Sequence, residues 1–471
     1  MTQPISRRTV LGGAIAGASA FALGPGFGSG IEDAHLDAKI KGPGPGTLPN
    51  PSAPAGSEQL PEISQIVVVM MENHTYDSVL GMMRGRGNGF TVVNGAPTNS
   101  NPWPKKSTFA PPGRDAVVKA FPMPNPCQQD AHPYNTWLAG KVSFAGGKMD
   151  GFVKSQSGPV AMGYYDSTLM PFVNSLARTF PVCDNYFSSV MAQTYPNRRF
   201  MWAGTAMGEV DDDATDSSKP PNGTIIEQLN KHNISWKNYH SSSSPASYLV
   251  WLYLLGLPAA QGSSRAVDIS TFYTDAAAGT LPAVSFVDPD FGTQSEENPQ
   301  DVQYGDQFMS QVINAVMSSP QWPTTLLVWA YDEGGGYYDH VPPPRAVKPD
   351  HVAPKPKSGQ PHGNPFGRYG FRVPSGVVSP FAKPNYVSHV VYDHTSILKL
   401  IETKWNLPAL TYRDAQAHNL LDTLKLTGTP AFLTPPTLAT PADPSVLSGC
   451  LSTGPGTIPP PHYVTFKPAK K

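Results

Sequence analysis

The 471 residues suffice for one large domain or two ordinary ones, and 39% hydrophobic against 15% charged residues can build a core beneath a charge-poor surface. With 34 basic and 35 acidic residues the formal net charge is -1, which excludes long-range attraction to nucleic acid or to an anionic membrane. Pro 52 and Gly 43 are over-represented without a G-X-Y period, so the composition describes a loop-rich globular protein and not a collagen.

The chain opens with "SRRTVLGGAIAGASAFALGPGFG", in which Arg7 and Arg8 precede a short apolar stretch diluted by Gly and Ala. That pattern predicts a twin-arginine export signal over residues 1–30, with "AGASA" offering cleavage sites. The expected location is periplasmic, cell-wall associated or secreted. The apolar stretch is too short and too Gly-rich for a stable membrane span, and no later segment reads as one. Residues 31–62 form a Pro/Gly-rich linker, ordered where it lies on the body of the protein.

Residues 63–71 contain "IVVVMM", a run without alternation and too short for a helix, which predicts a strand buried on both faces. "TTLLVWAY" (324–331) is a second such run. Helix-like segments cover 168–180, 223–233, 305–320 and 393–406, the last capped by Asp393. Short strands follow at 234–240 and 282–288, and "RVPSGVVSP" reads as another. Strands alternating with helices predict an α/β fold with a largely parallel central sheet sandwiched by helices. A catalytic domain over 63–427 is followed by a Pro/Thr-rich tail, 428–471, that wraps the surface. The cysteines Cys127, Cys183 and Cys450 lack metal-type spacing; a Cys127–Cys183 bridge and buried thiols are both open.

In an open parallel sheet, ligands sit beyond the carboxyl ends of the strands. The two strongest strands end there in Glu72-Asn73 and Asp332-Glu333. Four oxygen donors converging on one edge suit a hard divalent cation, Ca or another of that class. "MAQTYPNRRF" (191–200), read as a third loop, adds Thr194, a nucleophile that a cation can activate, and Arg198, a clamp for phosphate oxygens. In "VWAYDEGGGYYDHVPPP" (328–344), Gly334 to Gly336 let the chain bend, and His340 arrives seven residues after Glu333 as an imidazole for a phosphoryl oxygen or a leaving-group proton.

"ENHTYDSVLG" resembles the E-N-R-S-F-D-x-x-F-G motif of the bacterial phospholipase C and acid phosphatase A phosphoesterase family, which includes the plant non-specific phospholipases C. "DAHPYNTW", "GGKMDGFV", "QTYPNR", "YDEGGGYYDHVPPP", "GFRVPSGVVSPFA" and "DHTSILKLIE" follow in the family's order, over about residues 63 to 425. The resemblance implies an alkaline phosphatase-like fold and a reaction in which a Ser or Thr attacks phosphorus before water releases the phosphoryl group. On that resemblance Thr194 is the nucleophile; Glu72, Asn73, Asp332 and Glu333 hold metal and phosphate; His132 and His340 serve the phosphoryl group and proton transfer.

Two positions depart from the family pattern. Asn298, in "SEENPQD", stands where members often carry a His that is a proposed leaving-group acid; an amide cannot deliver a proton, and Glu297 or Asp301 could compensate. His74 stands where an Arg usually follows Glu-Asn. His394, in "DHTSIL", reads either as a further site residue or as a buried histidine at a helix start. The expected protein is an exported, metal-assisted phosphoesterase acting on a phospholipid or a small phosphate ester, first as a phospholipase C. Its alternatives are an acid phosphatase-type phosphomonoesterase and a secreted binding protein that has lost turnover.

Overall fold

The structure is a computed structural model, described here for residues 40–103, 116–128, 133–213, 218–241, 265–298, 300–356, 363–444 and 464–466. Its centre is an eight-stranded sheet. In chain order the strands are β1 (Gln65–Met71), β2 (Val182–Cys183), β3 (Trp236–His240), β4 (Ala266–Asp268), β5 (Val284–Val287), β6 (Thr325–Tyr331), β7 (Ser375–Val378) and β8 (Val387–Ser388). They lie side by side in the order β4-β3-β5-β1-β6-β7-β2-β8. All neighbouring pairs are parallel except those made by β7, which runs antiparallel to both β6 and β2. The fold is therefore α/β and largely parallel, as the alternation of strands and helices predicts.

The two apolar runs are the adjacent central strands. Ile66 to Met71 and Thr325 to Tyr331 are all buried, because helices cover the sheet on both sides and neither face meets water. Burying each large apolar side chain there contributes about 1.5–3 kcal/mol. The helices that matter for the site are α1 (Tyr76–Leu80), α2 (Trp137–Phe144), α3 (Pro171–Thr179), α4 (Thr194–Ala203), α5 (Ile225–Lys231), α6 (Ile269–Ala278), α7 (Val302–Met317) and α8 (His394–Trp405). The Asp301 carboxylate caps α7 by accepting from the Gln303 amide at 2.8 Å. The buried Asp306 of α7 accepts from the amides of Phe172 and Val173, tying that helix to the start of α3.

Segment 191–200, expected as a loop, is non-helical only over 191–193; from Thr194 it forms the first turns of α4. Pro196 misled the reading, since proline is tolerated in a first turn where amides have no helical partner. The described part of the linker docks on the body: Gln59 donates its amide to Lys404 O at 2.7 Å, and Glu58 pairs with Lys404. Val464–Phe466 pairs antiparallel with Ala116–Lys119 in a separate small sheet. Cys127 is disulfide-bonded while Cys183 is a buried free thiol, so the Cys127–Cys183 bridge left open by the sequence does not form. No helix among the described residues is long and apolar enough to cross a membrane. The export signal lies outside the described residues.

Candidate active site

The parallel register sets Met71 opposite Tyr331, so the next residues, Glu72 and Asp332, leave the sheet side by side. The Asp332 amide donates to Met71 O at 3.0 Å, and the Asn73 amide to Asp332 Oδ1 at 3.3 Å. Asn73 has φ 66, a left-handed conformation that asparagine tolerates, and it turns the chain back over the strand end. Its Nδ2 donates to Glu72 Oε2 at 2.9 Å. Gly335 belongs to the neighbouring turn with φ +59; a Cβ there would stand 1.9 Å from Asn73 O, so the close approach of the two loops requires glycine. Strand β5, on the other side of β1, ends at Val287, and Asp288 follows it toward the same place.

Helix α4 begins at Thr194 over these strand ends. The Thr194 hydroxyl donates to Glu72 Oε2 at 2.9 Å. One turn on, Arg198 is buried, with Nη2 2.8 Å from Glu72 Oε1, Nε 3.2 Å from Asp332 Oδ2 and Nη1 2.8 Å from Asp288 Oδ1. Its remaining reach goes to Met70 O at 3.3 Å. The guanidinium is thus the hub of the carboxylates; it does not stand open as a phosphate clamp. Asn197 holds the chain entering the helix, its Oδ1 accepting from the Val190 amide and its Nδ2 donating to Ala192 O.

Three buried carboxylates, Glu72, Asp288 and Asp332, share this single guanidinium, and a fourth buried acid, Glu333, follows Asp332 in the chain. Burial, and then the charge of Asp332, hold the Glu72 carboxyl well above its usual range despite Arg198. Burial and Asp332 do the same to Glu333, against the bonds it accepts from Asn135 and from the Gly335 amide. Acids outnumber cations here and the donors are all oxygens, the chemistry that suits a hard divalent cation, although Arg198 stands between Glu72 and Asp332.

A second cluster differs in this respect. Asp77, Asp339 and His340 bring three ligand atoms within 4.8 Å of one another, a geometry that could hold a metal ion. Arg372, with no exposure, already fills it: Nη2 is 3.1 Å from Asp77 Oδ1, and Nε is 2.9 Å from Asp339 Oδ1. His340 Nδ1 lies 2.6 Å from Asp77 Oδ2 and Nε2 3.2 Å from Asn88 Oδ1. Burial opposes a charged imidazole, yet the Asp77 bond and the neighbouring carboxylates outweigh it and raise the His340 pKa. Arg372 already spans both acids and His340 bonds to Asp77, so this cluster reads better as an ion-pair clamp than as a cation site. It pins the loop after β1 to the loop after β6, and Thr75 reinforces it by donating to Tyr338 O at 2.8 Å.

His340 therefore has a setting unlike the one its spacing suggested. Gly335 and Gly336, both at positive φ, turn the chain after Glu333, and the bonds of His340 run to Asp77 and Asn88. His394 Nε2 donates to Asp332 O at 2.6 Å and its Nδ1 is 3.3 Å from the Tyr186 hydroxyl, which makes it a buried support of the strand end. Asn298 accepts from the Tyr337 hydroxyl at 3.1 Å. Asp301 is the α7 cap. His74 is fully buried, stacked on Tyr337 at 4.7 Å, and burial lowers its pKa to about 3. His132 lies outside the described residues.

Two residues of the site were not anticipated. Asn135 Nδ2 donates to Glu333 Oε1 at 2.7 Å and to Asn73 Oδ1 at 3.2 Å, bridging the two strand ends. Asp288 anchors Arg198. The rule that identified Glu72 and Asp332, an acid after a buried strand, applies equally to "PAVSFVD" and finds Asp288. Nothing local distinguishes Asn135.

The profile of the Phosphoesterase family matches residues 63–408. Phospholipase C A of Mycobacterium tuberculosis is 28% identical over 445 residues, covering 85% of this chain and 83% of its own. Non-specific phospholipase C6 of Arabidopsis thaliana is 30% identical over 406 residues, covering 80% and 75%. Non-hemolytic phospholipase C of Pseudomonas aeruginosa is 26% identical over 384 residues, covering 74% of this chain and 54% of its own. A solved alkaline phosphatase superfamily protein from Vibrio parahaemolyticus aligns at TM-score 0.36 with 10% identity, over 66% of this chain and 73% of that one, a likeness too weak to carry an argument. This chain belongs to the Phosphoesterase family and is a hydrolase of phosphoric ester bonds.

Proposed function

We propose that the protein is an exported phospholipase C-type phosphodiesterase that works through a phosphorylated Thr194. The observation that carries the reading is the Thr194 hydroxyl, 2.9 Å from Glu72 Oε2 at the first residue of α4. Thr194 Oγ1 attacks phosphorus as its proton passes to Glu72 Oε2, the atom that already accepts it. The start of α4 favours the negative charge that gathers there. The Tyr195 amide is taken by Asp212 Oδ1 at 2.7 Å, so the helix dipole acts without that donor. Arg198 and Asn135 keep Glu72, Asp332, Asn73 and Glu333 in place. When bound by Glu72, Asn73, Asp332 and Glu333, a hard divalent cation supplies positive charge to the attacking and phosphoryl oxygens. Water then releases the phosphoryl group from Thr194. The phospholipase names of the relatives favour a diester with a phospholipid as substrate, and the Arg7-Arg8 signal favours export.

Turnover of p-nitrophenyl phosphorylcholine and p-nitrophenyl phosphate, with and without chelator, tests the reading in the purified protein. The diester is expected to be the better substrate, chelation to stop turnover, and Thr194→Ala to lack it. Retained activity in Thr194→Ala rules out the nucleophile, and preference for the monoester selects the acid phosphatase alternative. Fractionation of cells carrying Arg7→Lys with Arg8→Lys tests export, with cytoplasmic retention expected.

A further inference from the structure

Helix α8 begins where two separate parts of the site pass one another. Its first residue, His394, is fully buried and donates from Nε2 to Asp332 O at 2.6 Å. The residue before it, Asp393, is also buried and accepts from the Ser189 hydroxyl at 2.8 Å. Asp332 follows the last residue of β6, and Ser189 lies five residues before Thr194 on the way into α4. Two consecutive residues of one helix end thus hold partners 62 and 204 residues away in the chain.

On the Ser189 side the contact is built from backbone outward. A parallel bridge pairs Tyr186 with Tyr392, the Phe187 amide donates to Tyr392 O at 2.9 Å, and the Tyr392 amide donates to Asn185 O at 3.0 Å. Arg413, buried, closes the contact with Nη1 3.1 Å from Ser189 O and 3.5 Å from Asp393 Oδ2, so the enclosed carboxylate is compensated. The next residue, Val190, is bonded both ways to α4: its amide donates to Asn197 Oδ1 at 3.0 Å, and its carbonyl accepts from Asn197 Nδ2 at 3.2 Å. The placement of Ser189 is therefore passed to the helix whose first residue is Thr194.

On the other side a carbonyl can only accept, so Nε2 of His394 carries the hydrogen and Nδ1 accepts from the Tyr186 hydroxyl at 3.3 Å. Both ring nitrogens are occupied by protein, and neither is left to exchange a proton with substrate. The bond fixes the peptide between Asp332 and Glu333, whose amide is itself held by Asp332 Oδ1 at 2.7 Å.

We propose that Asp393 and His394 are positioning residues that set Thr194 and the Asp332-Glu333 strand end against each other; this rests on the Thr194 reading above. Asp393 acts through Ser189 on the helix that carries the nucleophile. His394 acts through the backbone of two residues of the proposed ligand set. The two halves have different signatures, one in turnover and one in cation affinity.

The test uses the purified full chain, with calorimetric titration of Ca²⁺, Mg²⁺ and Mn²⁺ into chelator-stripped protein and steady-state turnover of p-nitrophenyl phosphorylcholine. His394→Leu is expected to weaken cation binding by about 10–100-fold, and His394→Gln, whose side-chain amide can donate to Asp332 O, to recover most of it. Ser189→Ala removes the bond to Asp393 and leaves the start of α8 as it is. It is expected to lower kcat by about 10-fold, with KM and cation affinity within about twofold of wild type. Unchanged cation affinity in His394→Leu, or unchanged kcat in Ser189→Ala, overturns that half of the proposal. Complete loss of turnover in His394→Gln with wild-type cation affinity makes the imidazole a proton-transfer group and overturns its positioning role. A wild type that binds none of the three cations overturns the His394 half together with the ligand set. A fully active Thr194→Ala, or a wild type that turns over no ester, overturns the Thr194 reading and this inference with it.

Discussion

The Thr194 hydroxyl meets Glu72 Oε2 at 2.9 Å across 122 residues of sequence. One partner begins a helix and the other ends a central strand, so the contact exists only when α4 is seated over the carboxyl edge of the sheet. Replacing Thr194 by Ala removes the proposed attacking oxygen and little else, because the side chain is small and its bond reaches a carboxylate with other partners. Turnover is expected to fall by roughly 10³-fold or more with the melting temperature nearly unchanged. Thr194→Ser is expected to keep measurable activity, and steady-state kinetics beside thermal melts separate the cases.

Arg198 compensates three buried carboxylates at once. Arg198→Met leaves them facing one another, and loss of about 3–5 kcal/mol of stability is expected, read as a lower midpoint in denaturant. Arg198→Lys is not conservative, since one ammonium cannot reproduce the forked contacts to Glu72, Asp288 and Asp332.

Asn135 touches both Asn73 and Glu333 and contributes little to packing. Asn135→Ala is expected to weaken divalent-cation binding by about 10–100-fold while costing about 1 kcal/mol of stability. Titrating chelated protein with Ca²⁺ or another hard cation, by calorimetry or recovered turnover, checks it. Unchanged affinity rules out the bridge as a support for the ligands.

Burial raises the Asp306 pKa to about 7, although the carboxylate accepts from the amides of Phe172 and Val173. The folded value lies above the unfolded one of about 4. Its contribution to stability is therefore fully present below about pH 4 and is lost as pH rises through about 7. Over that window the lost stability is on the order of 4 kcal/mol. Melting temperatures from pH 4 to 8 are expected to fall more steeply for wild type than for Asp306→Asn, and parallel curves would falsify this.

Part of the site is legible without coordinates because strands that are buried on both faces announce themselves as uninterrupted apolar runs. The polar residues that end them must then emerge at an edge of the sheet, which picks out Glu72, Asn73, Asp332 and Glu333. Thr194 is legible as a residue type, but not its helix, since T-Y-P-N-R satisfies turn and first-turn preferences equally. His340 is only partly legible, because after two glycines at positive φ its bonds run to Asp77 and Asn88, 263 and 252 residues away in the chain, which its spacing from Glu333 does not encode. Asn135 has no local signal: its partners stand 62 and 198 residues away.

By itself the sequence determines the α/β class, the two central strands, the acids that end them and the nucleophile candidate, because each follows from local pattern and burial. Only the tertiary structure decides who shares charge with whom. It gives Arg198 to the carboxylates around Thr194 and Arg372 to the pair beside His340, leaving the first group short of positive charge and the second balanced. That division is electrostatic and depends on distances between segments 33 to 295 residues apart, which no local pattern encodes.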